Sequence, residues 1–391
     1  MAILFVSNLV PDNKPYNGLG FARSANNVLI GIADALPKEE KTKLISCRPI
    51  ASFPKGPLWI KKETVTLDSG RELLILPVLN LKVIKNIFWG FCLKKIIKKW
   101  ARENVDRKVL VYNIYTPPIS QLYKICKKTK SKLFAILYDL GVPPSTLKLN
   151  WITRWGYKAM EKKAYKYIPR LNGRIVINET IIKEYAPDKD FLLIDGGVNN
   201  NIINRLFPLT ERSQNSPLVL TLAGMLWNQN GTKLVLDCLS RNPDLNIIVN
   251  FAGNGQDVEK IKEAAKTDSR IHYLGLLDPK ELFNLYAKSD VLLNLRIEEK
   301  NDMHFPSKLL EYIATGKHVI STPIAHAERD YGDFITVLPE ISSESLCYVI
   351  KQLLKIDSKV LLNKGLKARQ FMIENRNWEV RTKQILEYIN D

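Results

Sequence analysis

Long apolar runs are missing from this sequence of 391 residues. A membrane-spanning helix needs about 20 consecutive apolar residues, and no stretch of the chain provides them. The first residues, MAILFVSNLV, lack the basic lead that precedes the apolar part of a signal peptide. We therefore expect neither a transmembrane helix nor a signal peptide, and we predict a cytoplasmic protein.

Clustered metal ligands and paired cysteines are missing as well. The cysteines stand singly, without a CxxC pair and in an odd total, which favours reduced thiols over a disulfide or metal framework. They are Cys47, Cys92, Cys126, Cys238 and Cys347. Asp188 and Asp190 form a DxD sequence in what reads as a charged surface loop, which is weak evidence for a cation. We predict no metal and no cofactor.

What is present has the length and composition of a two-domain globular protein. Residues classed as hydrophobic make up 46% of the chain, and 391 residues leave room for two separate cores. Short apolar runs alternate with stretches of helical spacing, which predicts parallel sheets covered by helices on both faces. The polar, proline-flanked segment 206–217 is the predicted linker.

Positive charge is confined to the first half of the chain. Residues 1–205 contain 35 Lys and Arg against 16 Asp and Glu, a net charge of +19. Residues 206–391 contain 23 against 24, a net charge of −1. A basic half-molecule attracts phosphate-rich partners, which leaves anionic lipid, nucleic acid and a lipid-linked diphosphate as possibilities.

Two segments of the basic half mix aromatic and basic residues. Lys82–Arg102 contains seven basic residues and no acidic one, with lysines 94, 95, 98 and 99 beside a predicted apolar helical face. Trp151–Arg170 repeats the mixture. Cationic amphipathic helices of this type lie in the plane of an anionic membrane surface. The alternative is a pair of ordinary domain helices whose lysines face water.

Residues 296–321, RIEEKNDMHFPSKLLEYIATGKHVIS, join two apolar strands through a loop and a helix. Ser307 is the predicted N-cap, because Pro306 disfavours an earlier helical start, and Gly316 is the predicted end. Free amides in the first turn, together with Lys308, make this helix start a candidate anion site. An ordinary capped helix with a solvated lysine is the alternative.

Two further loops follow predicted strands of the first half. Gly18 and Gly20, after the first strand, would let the backbone approach a phosphate or sugar, although a flexible connector is equally consistent with them. Asp139 ends the strand at 133–138, where its carboxylate could accept a hydrogen bond from a sugar hydroxyl or cap the loop.

The segment FPSKLLEYIATGKHVI, residues 305–320, resembles the C-terminal signature of family-four retaining glycosyltransferases of the GT-B fold. The resemblance covers essentially the whole chain and is closest over residues 218–321. It implies an α/β protein in which two Rossmann-like α/β/α domains face each other across a cleft. The acceptor-binding domain would span residues 1–205 and the nucleotide-sugar domain 206–375, with a final helix in 376–391 crossing back to the first domain.

The resemblance also implies roles for individual residues. Glu311 corresponds to the glutamate that hydrogen-bonds the donor ribose, whereas Met303 stands where the family has a sugar-binding glutamate. Residues 274–277, which include Leu276 and Leu277, correspond to the backbone that lies against the nucleobase.

The two cations that neutralise the donor diphosphate in the family are missing here. Met225 and Asn230 stand at their positions. We expect nearby cations to replace them, and the candidates are Lys233, Arg296 and Lys308. The predicted catalytic residues are Asp139, Lys308 and Arg296. The predicted donor-binding residues are Gly18, Gly20, Gly224, Asn230, Lys233, Gly253, Leu276, Leu277, His304, Phe305, Pro306, Ser307, Lys308 and Glu311.

The resemblance implies a retaining glycosyltransferase, and the lack of a carboxylate cluster predicts that it is metal-independent. Its donor would be a UDP- or GDP-linked sugar, and its acceptor would be a lipid-linked saccharide. The reaction would belong to the synthesis of an envelope polysaccharide, a lipopolysaccharide or a capsule, and it would take place at the inner face of the plasma membrane. A nucleotide-sugar 2-epimerase of the same fold is one alternative, although such enzymes need acid–base carboxylates around the sugar and position 303 is a methionine.

The other alternative is a non-catalytic basic protein that binds nucleic acid or membrane. The aromatic residues of 82–102 fall on a helical face and not on a strand platform for stacking bases. We therefore predict no nucleic-acid partner.

Overall fold

A computed structural model describes residues 1–11, 23–38, 41–82, 84–138, 140, 151–213, 216–297 and 305–391. Gly18, Gly20, Asp139, Met303 and His304 lie outside these ranges. The chain forms two compact units. Unit 1 consists of Met1–Gly197 and Trp378–Asp391, and unit 2 consists of Val198–Asn377.

Unit 1 is built on a mostly parallel sheet. Its elements, in chain order, are β1 (Ala2–Ser7), α1 (Arg23–Ala35), β2 (Thr42–Ser46), β3 (Trp59–Ile60), β4 (Glu63–Thr66), β5 (Glu72–Ile75), β6 (Val78–Leu79), α2 (Ile84–Glu103), β7 (Arg107–Tyr112), α3 (Ile119–Thr129), β8 (Lys132–Leu137), α4 (Trp151–Tyr165), a 3-10 helix (Ile168–Arg170), β9 (Gly173–Val176), α5 (Thr180–Tyr185) and β10 (Leu192–Leu193).

Eight of these strands form one sheet in the order β10-β9-β8-β7-β1-β2-β5-β4, in which β4 alone runs antiparallel to its neighbour. β1 lies near the middle and is buried along its whole length, as expected for a parallel strand covered on both faces. β3 and β6 pair separately as a short antiparallel ribbon.

Unit 2 contains a six-stranded, fully parallel sheet in the order β13-β12-β11-β14-β15-β16. Its elements are α6 (Asn200–Ile203), β11 (Leu218–Met225), a 3-10 helix (Asn228–Asn230), α7 (Thr232–Arg241), β12 (Ile247–Asn254), α8 (Val258–Thr267), β13 (Ile271–Gly275), α9 (Pro279–Lys288), β14 (Val291–Asn294), α10 (Ser307–Thr315), β15 (His318–Ser321), α11 (Ala327–Tyr331), β16 (Ile335–Val337), α12 (Ser343–Leu353) and α13 (Ser358–Asn375). The predicted parallel α/β architecture is confirmed.

The prediction of five reduced cysteines is wrong for two of them. Cys238 in α7 and Cys347 in α12 form a disulfide, with their Cα atoms 5.7 Å apart. The two residues are 109 positions apart in sequence, so only the packing of α7 against α12 brings them together. Cys126 is a free buried thiol, and burial raises its pKa to about 12.

The apolar face predicted for the basic segment 82–102 is only partly exposed in α2. Ile97 and Trp100 belong to the buried face of the helix, whereas Ile84, Ile87 and Phe91 are exposed. In α4, Trp151 is 78% exposed. Among the described residues, none of the helices combines the length and the apolar content needed to cross a bilayer. Binding of either segment to a membrane surface stays a prediction.

The last helix, α14 (Trp378–Asn390), belongs to unit 1, where its Trp378 side chain packs closely against α1. Trp378 is 4% exposed and lies against Gly31 of α1. An ideal Cβ added at Gly31 would lie 2.1 Å from a ring carbon of Trp378, so the site accepts only glycine without displacement. Arg381, one turn further along α14, forms a buried ion pair with Asp195.

This contact predicts opposite effects of the same substitution at two helical glycines. Gly31→Ala should destabilise the protein by about 1–3 kcal/mol, because the new methyl group overpacks against Trp378. Gly156→Ala in α4 meets no atom within 4 Å and should stabilise by up to about 1 kcal/mol through helix propensity. Thermal melting of both variants checks this, and equal melting temperatures would contradict the close packing of Trp378.

Candidate active site

The strand order of unit 2 creates a topological switch point between β11 and β14. From β11 the chain continues through α7 to β12 on one side, and it returns later to place β14 on the other side of β11. The segments that follow β11 and β14 therefore leave the sheet in opposite directions. In open parallel sheets, ligands bind at such a switch point, beyond the carboxyl ends of the strands.

Two glycines line the carboxyl edge of the sheet at this point. Gly224 and Gly253 are paired in register on β11 and β12, with φ angles of +119° and +136°. A Cβ at Gly253 would lie 1.9 Å from the Gly224 carbonyl oxygen, and a Cβ at Gly224 would lie 2.0 Å from the Lys308 Nζ. Both the backbone conformation and the available space require glycine here, and the surface stays open for the Lys308 ammonium.

The helix that carries Lys308 begins one residue earlier than predicted. Pro306 occupies the N-cap position of α10, Ser307 is the first helical residue, and no side chain caps the helix. The prediction that Ser307 caps α10 is therefore wrong, because Pro306 already provides the extended backbone that precedes the first turn. Gly316 ends the helix in the left-handed conformation, as predicted. The first turn follows β14 at the carboxyl edge, where helix amides favour an anion.

Lys308 is held in place by the neighbouring strand. Its Nζ donates a hydrogen bond of 2.6 Å to the carbonyl oxygen of Ala223, which also lies 3.5 Å from the Tyr312 hydroxyl. Burial lowers the pKa of the Lys308 ammonium, and the Glu311 carboxylate opposes that shift. Lys308 is thus half-buried and oriented, and differs from an ordinary solvated lysine.

Glu311 lies one turn further along α10. Burial raises the pKa of its carboxyl group, while Lys308, the Tyr286 hydroxyl and Arg205 lower it to a smaller extent. The Tyr286 and Tyr312 rings pack edge to face with centroids 5.4 Å apart. Burial raises the pKa of both hydroxyls, and the Glu311 carboxylate adds to that increase. A carboxylate held in such surroundings without full charge compensation is a frequent feature of functional sites.

The two other predicted cations are Arg296 and Lys233. The backbone of Arg296, just after β14, is held by the Thr322 hydroxyl: Thr322 Oγ1 accepts a hydrogen bond from the Arg296 amide at 2.9 Å and donates one to the Arg296 carbonyl at 2.6 Å. Lys233 is exposed in the first turn of α7. Asn230 closes the turn before α7, because its Nδ2 donates to the Met225 carbonyl at 2.7 Å.

Apolar residues follow β13 at the same edge of the sheet. Leu276 is 82% exposed and Leu274 is 40% exposed, on either side of Gly275, while Leu277 is partly buried. Phe305 is buried and stacks on the His326 ring with centroids 4.8 Å apart. This contact lies two residues before the start of α10.

Three groups that shape this site could not be found from the sequence. They are the carbonyl of Ala223, the hydroxyl of Tyr286 and the hydroxyl of Thr322. Each comes from a distant part of the chain and acts through an atom that many residue types share, so no motif indicates it. Asp190, the second acidic residue of the DxD sequence, accepts a hydrogen bond of 2.9 Å from Tyr388 in unit 1.

Comparison with known proteins agrees with this geometry. Residues 216–355 match the family model described as glycosyl transferases group 1. A curated human relative, which is one subunit of phosphatidylinositol N-acetylglucosaminyltransferase, is 25% identical over 115 residues. That match covers 29% of this chain and only 23% of the length of the relative.

Several solved structures share the fold over the whole chain. A sucrose-phosphate synthase from Thermosynechococcus elongatus has a TM-score of 0.68 at 14% identity, covering 100% of this chain and 98% of its own. A glycosyltransferase from Rickettsia africae ESF-5 has a TM-score of 0.68 at 17% identity, with coverages of 99% and 97%.

Anabaena Alr3699/HepE, solved in complex with UDP, has a TM-score of 0.67 at 13% identity and covers 100% of both chains. Residues 216–355 in unit 2 thus resemble the group 1 glycosyl transferases, and the whole chain shares the GT-B fold of these solved structures.

Proposed function

We propose that this protein transfers a sugar from a nucleotide-sugar donor, which unit 2 binds, to a saccharide acceptor. One observation carries the proposal: the Lys308 ammonium is held over Gly224 at the first turn of α10, with Glu311 one turn behind it. An oriented cation beside helix amides fits a diphosphate, and a half-buried carboxylate fits the vicinal hydroxyls of a ribose.

The proposed reaction retains the configuration at the anomeric carbon. The bond from the anomeric carbon to the diphosphate oxygen breaks, and the acceptor hydroxyl oxygen bonds to that carbon on the same face. The acceptor proton passes to the departing diphosphate. Since negative charge accumulates on the diphosphate as it leaves, preorganised cations and helix amides stabilise the transition state. Lys308 and Arg296 are assigned this role, so that no metal ion is needed.

A uridine nucleotide is the preferred donor in this proposal. Alr3699/HepE was solved with UDP and, in a second structure, with UDP and glucose. In this chain the exposed Leu274 and Leu276 flank Gly275, whose φ of +69° turns the backbone at the end of β13. Such a backbone turn with apolar neighbours suits the face and edge of a base. The sugar itself is left open.

The acceptor is proposed to be lipid-linked and to meet unit 1. The net charge of +19 over residues 1–205 supports a phosphate-bearing acceptor or an anionic membrane surface. The human relative is named for phosphatidylinositol and N-acetylglucosamine, which supports a lipid acceptor. Membrane attachment through the segments around α2 and α4, and a role in envelope or capsular polysaccharide synthesis, belong to the same proposal.

The charge state of Glu311 predicts how stability depends on pH. Because the folded-state pKa is raised, ionisation of Glu311 opposes folding, and this cost appears as the pH rises through that pKa. The melting temperature of the Glu311→Gln variant should therefore rise relative to that of wild type as the pH increases from 5 to 8. Loss of the carboxylate beside Lys308 acts in the other direction, but burial is the largest cause of the shift.

The control for this measurement is Glu263→Gln, which removes the same charge from an exposed position on α8. Its difference from wild type should be nearly independent of pH over the same range. A Glu311→Gln variant that loses stability relative to wild type at pH 8 would contradict the assigned surroundings of the carboxylate.

Glu311 also predicts nucleotide affinity. Two charge-assisted hydrogen bonds to a ribose contribute about 1.5–3 kcal/mol each before desolvation. Glu311→Ala should therefore weaken UDP binding tenfold or more, whereas Glu263→Ala should leave it unchanged. Calorimetric titration with UDP measures both variants, and a normal affinity in a correctly folded Glu311→Ala protein would remove Glu311 from the donor site.

Transfer is tested with radiolabelled UDP- and GDP-sugars, with and without a lipid extract, in the presence of EDTA. We expect a labelled lipid-linked product with the anomeric configuration of the donor, because Lys308, Arg296 and helix amides neutralise the diphosphate. Activity that disappears in EDTA and returns with Mg²⁺ or Mn²⁺ would contradict the metal-independent mechanism. Conversion of the donor sugar alone would indicate the 2-epimerase.

A further inference from the structure

A groove runs between α2 and α3 on unit 1, and none of the residues that line it is assigned to the donor site. Its volume is about 230 Å³. Three apolar side chains line it: Ile87 and Phe91 from α2, and Ile125 from α3. Phe91 is 62% exposed and Ile87 is 47% exposed, so this lining is open to solvent.

Four lysines stand around the apolar lining. Lys94 and Lys98 come from α2, and Lys124 and Lys128 come from α3. Each pair is spaced by four residues, which puts its members one turn apart on the same face of their helix. All four are exposed, and the described residues that line the groove include no carboxylate. The groove thus combines an apolar surface with positive charge on both sides.

The two helices contact each other at the base of the groove. A Cβ added at Gly90 of α2 would lie 1.5 Å from Gln121 Oε1 of α3, so the Gln121 side chain fills the space that the glycine leaves. Both residues are part of the groove lining. The two lysine pairs therefore lie on neighbouring helices that pack against each other.

Further apolar side chains continue the exposed surface along α2. Ile84 is 44% exposed. Trp59 of β3 is 50% exposed and packs edge to face on Phe88, with ring centroids 5.6 Å apart. Tryptophan and basic residues together are typical of surfaces that lie at the boundary between lipid head groups and acyl chains.

From these features we infer that the α2–α3 groove binds one anionic phospholipid of a bilayer. The phosphate lies among the four lysines, and the upper part of an acyl chain lies on Ile87, Phe91 and Ile125. A volume of 230 Å³ exceeds the roughly 150 Å³ of a cavity that holds benzene, but it is below the roughly 300–1,000 Å³ of sites that enclose a drug-sized ligand. The rest of the lipid therefore stays in the bilayer.

This inference deepens the proposed membrane attachment and does not depend on sugar transfer. It differs from general attraction of a basic helix to a charged surface, because it assigns different roles to lysines that are adjacent in sequence. Lys94 and Lys98 line the groove, whereas Lys95 and Lys99 on the same helix do not. All four are exposed.

The test compares two double variants of the full chain with equal loss of charge, Lys94→Gln/Lys98→Gln and Lys95→Gln/Lys99→Gln. Each lysine near an anionic surface contributes about 1 kcal/mol, so the groove variant should bind phosphatidylglycerol vesicles about thirtyfold more weakly in flotation. The control variant should lose much less. Equal losses would overturn the groove and leave only diffuse attraction.

A second pair of variants tests the apolar part. Phe91→Ser should weaken vesicle binding, whereas Val105→Ser, at a position 93% exposed and outside the groove, should not. Both side chains are largely exposed, so the fold should persist. An unchanged affinity for Phe91→Ser would overturn the contact with an acyl chain.

Binding of a single lipid is measured by titrating the full chain with dihexanoyl phosphatidylglycerol below its micelle concentration. We expect one site per chain, weakened in Lys94→Gln/Lys98→Gln but not in Lys95→Gln/Lys99→Gln. Glycerol phosphate binding as tightly as the lipid would overturn the inference in favour of a simple phosphate site. A single-stranded oligonucleotide that displaces the lipid at lower concentration would overturn it in favour of nucleic acid.

UDP binding by the same variants separates this inference from the proposed function. The groove variants should bind UDP like wild type, because unit 2 is unchanged. A wild-type protein that binds the lipid but no nucleotide would contradict the proposed function and leave the groove assignment intact.

Discussion

The hydrogen bond between the Lys308 ammonium and the Ala223 carbonyl is the interaction on which the candidate site depends. It exists only because Gly224 has no side chain, and Gly224 in turn lies in register with Gly253, which must also be a glycine. The bond joins the first turn of α10 to the end of β11, the two sides of the switch point. It fixes a positive charge at a place where a bound diphosphate would not have to reorganise its surroundings.

The sequence allowed much of the fold to be predicted, because parallel strands covered on both faces appear as continuous apolar runs. β1, β11 and β12 are continuous runs of this kind. The two-residue strands β3 and β6 cannot be predicted in this way, since segments this short carry no periodicity. The Cys238–Cys347 disulfide and the Ala223 carbonyl were missed for another reason: they depend on contacts between residues about a hundred positions apart, for which spacing gives no signal.

The departures from the family signature acquire a physical meaning in the structure. Asn230 stands where the family has a cation, and its side chain is engaged with the Met225 carbonyl, the backbone of the other departing position. The turn after β11 is thus closed by a hydrogen bond between neutral groups. In the proposed mechanism, positive charge is supplied instead from the β14 side of the switch point by Lys308 and Arg296. The Lys308 ammonium is held by the Ala223 carbonyl, and the Arg296 backbone is held by the Thr322 hydroxyl.

The net charge overstates how many basic side chains of unit 1 a partner can contact. Arg174 is 2% exposed and donates to the carbonyls of Ile168, Pro169 and Leu171, so its charge is committed to the fold. Lys108 is 3% exposed and donates to Asn390 of α14. The argument for a phosphate-bearing partner therefore cannot rest on +19 as a sum. It rests on where exposed cations meet exposed apolar side chains, and in unit 1 the α2–α3 groove brings four such lysines to one apolar surface.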